Sequence, residues 1–200
     1  MIIIAVAYIK KEILQMKTQT ISSERTKSVI LCAMFVALIA ICSWISIPSA
    51  VPFTLQTFAV FLAAGLLGTG RSVITIVCYI ILGSIGVPVF AGFQGGFGVV
   101  TGPLGGYIIG FIFTALITGL VIGKFGSKTI PAAVGMVLGL IACYAFGTVW
   151  FTYIYTGELT GAGLVSSLSM CVIPFIIPDI IKITLAVILT QRLKKHINKV

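Results

Sequence analysis

Charge is what this chain has least of. Only 8% of its 200 residues are Asp, Glu, Lys or Arg, about a third of the share in a soluble domain. There are four acids in all and a single histidine, His196, in the C-terminal tail. Without a carboxylate pair, an HExxH or a nucleophile elbow, the chain offers no catalytic constellation and reads as a non-enzyme. It also lacks GxxxxGK[ST], so neither ATP hydrolysis nor phosphate binding can be argued from it. Cys32, Cys42, Cys78, Cys143 and Cys171 stand singly in apolar stretches, with no CxxC or Cys/His spacing. That pattern implies neither a metal site nor a disulfide framework, and the thiols read as small buried hydrophobes. No catalytic residue, metal ligand or resident cofactor is expected.

What the chain has in abundance is hydrocarbon: 59% of its residues are hydrophobic. Most of it never meets water, which makes it an integral membrane protein. A helix crossing the ~30 Å apolar core needs about 20 such residues. Apolar segments lie near 28–47, 53–68, 72–88, 103–123, 130–153 and 164–190. The predicted fold class is therefore all-α, with six transmembrane helices. Basic residues orient them. Lys10, Lys11, Lys17, Arg25 and Lys27 precede the first span, and Arg71, Lys124 and Lys128 fall in two short loops. Arg192, Lys194, Lys195 and Lys199 follow the last span. With N- and C-termini both cytoplasmic, twelve of the thirteen Lys and Arg lie inside, and the thirteenth is Lys182. The opposite loops, near 48–52, 89–102 and 154–163, carry neither, as the positive-inside rule requires. The net charge of +9 is thus a topology signal and not a nucleic-acid surface.

Residues 1–25 read as an N-terminal extension, 26–192 as one membrane domain and 193–200 as a basic cytoplasmic tail. Met16-Lys17 looks like an ordinary start, so residues 1–15 are an upstream extension or an interfacial helix; the order of apolar and basic residues is wrong for a signal peptide.

Asp179 and Lys182 are the charged pair inside an apolar span. At i and i+3 they leave one helical face and offset each other's burial cost. Intramembrane ionisable groups usually mark a ligand or ion path, although a structural ion pair gives the same spacing. Pro178, four residues after Pro174, is expected to kink the helix beside the pair. Two outer segments look ligand-directed. The first, Ile47 to Gln56, holds two prolines followed by Thr54 and Gln56. The second, Gly86 to Tyr107, has eight glycines in 22 residues, Gly95 and Gly96 among them, interleaved with Phe90, Phe93, Phe97 and Tyr107. Glycine backbone admits close approach and aromatics supply flat walls, which suits a lid over a small ligand. Tight helix connection is the plainer alternative. Ala33, Ala37 and Ala40 form a small-residue stripe on the first helix, a surface for close helix approach. Glu158 reads as solvated and His196 as a polar tail residue.

Four runs together carry a family resemblance: Val51-Pro-Phe-Thr-Leu-Gln56, Gly86-Val-Pro-Val-Phe-Ala-Gly92, Gly102-Pro-Leu-Gly-Gly-Tyr107 and Pro178-Asp-Ile-Ile-Lys182. In this order they resemble BioY, the biotin-specific substrate-binding (S) component of energy-coupling-factor transporters, over residues 26 to 192. The resemblance implies a multi-pass protein of the bacterial cell membrane that captures biotin outside. Its partners would be a coupling transmembrane protein and ABC-type ATPase subunits, which use the ATP. It implies that Ala33 and Ala37 face the coupling protein. Asp179 would accept from the ureido N–H groups and Lys182 donate to the ureido carbonyl. Phe53, Phe90, Phe93, Phe97 and Tyr107 would wall the ring and tail, while Thr54 and Gln56 add neutral hydrogen bonds. The carboxylate would be held by glycine N–H groups or by Lys182. A self-sufficient proton-coupled carrier of a small vitamin, with Asp179 as the cation site, is the alternative; the chain shows no clear inverted halves. A non-transport scaffold is a third reading.

Overall fold

The computed structural model describes residues 24–48, 51–157 and 159–197. Residues 1–15, Glu158 and the His196 side chain, on which expectations were placed, lie outside the described residues. Helix α1 spans Glu24–Trp44. A two-residue antiparallel ladder follows, β1 (Ser46–Ile47) against β2 (Phe53–Thr54), with Ser46 opposite Thr54. Then come α2 (Gln56–Ser84), a 3₁₀ turn (Ala91–Phe93), α3 (Phe97–Thr101), α4 (Gly105–Phe125) and α5 (Thr129–Thr156). The chain closes with α6 (Gly161–Cys171), a second 3₁₀ turn (Ile173–Phe175) and α7 (Ile176–Ile197). Among the described residues, five helical stretches are long and apolar enough to cross a membrane.

The expected second and third spans are a single 29-residue helix, α2, interrupted at Gly68. Gly68 has φ 76° and ψ 174°, a backbone conformation that side chains resist but glycine adopts freely. The interruption reverses the chain. Gln56 and Tyr79 lie 23 residues apart, yet their side chains are hydrogen-bonded at 2.8 Å. An unbroken helix would separate them by about 34 Å. The two arms of α2 therefore run side by side in opposite directions. The first is buried at every position from Ala59 to Leu67, so it occupies the middle of the bundle.

The end of the chain also differs from expectation. The break in the last apolar stretch falls at Val172 and the 3₁₀ turn, with α7 starting anew at Ile176. Pro178 thus sits in the first turn of a helix, where its missing N–H has no partner to lose.

Hydrocarbon tails are as apolar as leucine, so the bundle is held by close packing and interhelical hydrogen bonds more than by burial. The α4–α5 seam shows both. A Cβ on Gly110 would lie 2.8 Å from Cys143 Sγ, and one on Gly139 2.9 Å from the Thr114 carbonyl oxygen. Thr114 and Thr118 donate across the seam to the carbonyls of Gly139 (3.1 Å) and Gly135 (3.0 Å). At one end of the bundle Cys32 meets the Arg71 carbonyl, Gly119 backs onto Thr69, and Gln191 donates to the Ser127 carbonyl. These contacts gather Arg71, Lys128 and Arg192 at that end.

Candidate functional site

At the end remote from those basic residues lies a cavity of about 470 Å³, within the range of small-molecule sites. Helix α7 builds its floor. Ile177, Ile181, Leu185 and Ile188 face outward, while Asp179, Lys182, Ile183, Ala186 and Thr190 are buried. Helical periodicity thus turns the charged pair into the bundle. Asp179 lies in the first turn of α7, where the helix dipole favours a negative charge.

The pair is tied to two other helices. Lys182 Nζ donates to Asp179 Oδ1 at 2.7 Å and to Thr57 Oγ1 at 3.0 Å. The Thr57 hydroxyl donates onward to the same Asp179 oxygen at 3.1 Å. From α5, the Tyr144 hydroxyl donates to Asp179 Oδ2. Burial is nearly complete, at 1% exposure for Asp179 and 7% for Lys182. Such a pair is tolerable only because each charge is met by hydrogen bonds as well as by its partner. Of Lys182's three N–H groups two are engaged, and Asp179 Oδ2 takes one bond. The floor therefore has donor and acceptor capacity left over.

Above the floor the walls are neutral. Gln56 donates to the Tyr79 hydroxyl, which donates to the Val89 carbonyl (2.8 Å each), pinning the start of α2 beneath the loop after it. Phe90 is 1% exposed, meets Tyr79 edge-on, and rests on Gly83, where a Cβ would lie 2.0 Å from its ring edge. The Tyr107 hydroxyl pairs with Thr148 at 3.0 Å. The exposed Gln94 and Pro48 stand at the mouth, with Ser46 half-buried beside them.

Of the residues singled out from sequence, Asp179, Lys182, Thr54, Gln56, Phe90 and Tyr107 line this cavity. Five others lie outside its lining. Phe53 stacks on Phe175 with centroids 4.2 Å apart, and it is Phe175 that faces the cavity. Phe93 stacks on Trp44 and is 63% exposed, and Phe97 is 69% exposed. Gly95 is pressed against the Val87 carbonyl, and the Gly96 N–H is spent on the Gly83 carbonyl at 2.7 Å. Gly95 and Gly96 thus pack the loop onto its own start, and the Gly96 N–H is not offered to the cavity. Thr57 and Tyr144 went unremarked in the sequence. The signal was available for both: Thr57 adjoins the Thr54 and Gln56 motif, and Tyr144 is a hydroxyl inside an apolar span. Ala33 and Ala37 are exposed on the outer side of α1, while Ala40 is buried.

A family model, the BioY family, matches residues 14–199. The chain belongs to the BioY family. It is 40% identical over 171 residues to a probable biotin transporter BioY of Pyrococcus horikoshii, covering 85% of this chain and 98% of that relative. It is 41% identical over 170 residues to the biotin transporter BioY of Thermotoga maritima, covering 84% and 96%. Among solved structures it matches a crystal structure of the S-component for biotin from an ECF-type ABC transporter. The TM-score is 0.77 at 30% identity, over 86% of this chain and 93% of that one. With its apolar helices, this BioY-family chain is a multi-pass membrane protein.

Proposed function

We propose that the chain is the biotin-capturing S component of an energy-coupling-factor transporter. Its membrane domain, residues 26–192, crosses the bilayer six times with both termini cytoplasmic. The two arms of α2 count as separate crossings, and the basic end of the bundle is the cytoplasmic one. The observation that carries the reading is the buried Asp179 and Lys182 pair at the floor of a cavity opening away from the basic end. A cyclic urea offers N–H donors to the carboxylate and a carbonyl to the ammonium, and the apolar walls suit its fused ring and aliphatic tail. The names of the relatives and of the structural neighbour agree with biotin as the ligand. ATP is used by ABC-type ATPase partners through a coupling transmembrane protein, and this chain needs no cofactor of its own.

Calorimetry of the detergent-purified protein against a panel of vitamins tests the reading. Tight binding of biotin without any ion gradient supports it. Uptake by the chain alone that collapses with the pH gradient would overturn it in favour of a proton-coupled carrier. Ala33 and Ala37 form the docking stripe for the coupling protein. Ala33→Trp is expected to leave biotin binding intact and abolish uptake; weakened binding in a normally assembled complex would contradict that role.

A further inference from the structure

We infer that the cavity recognises its ligand by the uncharged ring end alone and leaves the ligand's carboxylate, at the mouth, without a cationic partner. The inference rests on the biotin reading and adds which part of the molecule is selected.

The argument begins with charge. Among the described residues lining the cavity, Asp179 and Lys182 are the only charged ones. They neutralise each other at 2.7 Å, so the floor has no net charge to offer. What remains there is one N–H on Lys182 and one lone pair on Asp179 Oδ2 after Thr57 and Tyr144 have taken their share. One donor beside one acceptor matches the carbonyl and N–H edge of a urea. A carboxylate in the same place would put a second negative charge against Asp179, in a region nearly closed to water, where such repulsion is poorly screened.

The ligand's carboxylate therefore lies at the opposite end, one tail-length away. The polar side chains there are neutral: the exposed Gln94 and the half-buried Ser46. The Gly96 amide already donates to the Gly83 carbonyl, and Gly92, which does line the cavity, has no charge to add. Between Arg71 and Lys124 the chain has no Lys, Arg or His, so the whole loop from Gly86 to Tyr107 is without a cation. A carboxylate at the mouth keeps its hydration and gains only neutral hydrogen bonds. Replacing it by a primary amide costs little. The cavity thus selects for a cyclic urea on an apolar tail and tolerates neutral tail ends.

The test compares biotin with biotin amide on the wild-type protein in detergent, by calorimetry. The expected result is a Kd for the amide within threefold of that for biotin. A loss of thirtyfold or more would overturn the inference while leaving biotin binding itself in place. Failure of biotin to bind would overturn both this inference and the reading beneath it. Gln94→Arg gives a second readout, because it supplies the missing cation. Biotin should then bind at least threefold more tightly relative to the amide than it does in wild type. An unchanged ratio would place the carboxylate elsewhere and overturn the assignment of the mouth.

Discussion

The α4–α5 seam and the cavity floor use threonine in opposite ways. Along the seam, the hydroxyls of Thr114 and Thr118 are spent on carbonyls of the facing helix, between glycines that bring the two backbones close. Nothing there is left for a ligand. At the floor, Thr57 accepts from Lys182 and donates to Asp179, and so joins two charges without exhausting either. Polar groups that find backbone partners fasten a membrane bundle. Polar groups that find only one another, around an opening, remain available for recognition. The first arrangement governs stability and the second affinity, and substitutions should separate them.

The largest effect belongs to the seam. Gly139→Leu drives a side chain into the Thr114 backbone, where even a Cβ would sit 2.9 Å from the carbonyl oxygen. Loss of monodisperse protein in size-exclusion chromatography is expected; a variant that melts within a few degrees of wild type would break the comparison. Next comes the floor. Asp179→Asn removes a charge-assisted acceptor worth about 1.5–3 kcal/mol, so biotin affinity should fall more than tenfold. It also strands Lys182, which costs stability. Adding Lys182→Met should restore the melting temperature without restoring affinity, and recovery of both would show the pair to be structural only.

Tyr144→Phe is a finer cut. It removes one donor that positions Asp179 and leaves the ring, so biotin affinity is expected to fall roughly fivefold, with melting lowered by the loss of one intramolecular bond worth about 1 kcal/mol. A large drop in melting temperature with unchanged affinity would move Tyr144 into the fastening class. The smallest effect is Thr118→Val, which deletes a single interhelical hydrogen bond worth about 0.6 kcal/mol. Thermal melting should fall slightly, and the biotin titration should superimpose on that of wild type.

Much of the fold was legible because bilayer physics is written in composition. Apolar stretches, and basic residues confined to alternate connections, are one-dimensional signals. The helical face shared by Asp179 and Lys182 is equally local, since it follows from a three-residue spacing. The loop was harder. Phe90 and Phe93 look alike in sequence, yet Phe90 lies on Gly83 and lines the cavity while Phe93 stacks outward on Trp44. Their separation depends on the positive φ of Gly92 and of Phe93 itself, where the 3₁₀ turn reverses direction. Pro178 likewise suggested a kink by spacing alone, whereas the actual break came earlier, at Val172, and left the proline in a first turn.

By itself the sequence determined that this protein lives in a membrane, which end of it carries the positive charge, and that one opposed pair is buried there. Each is a property of residues near one another along the chain. Only the tertiary structure decided what surrounds that pair. Thr57 is 122 residues from Asp179 and Tyr144 is 35 away, brought to one carboxylate by the reversal at Gly68 and the glycine-lined seam. Helical periodicity says which face of a helix is polar, but not which other helices that face will meet.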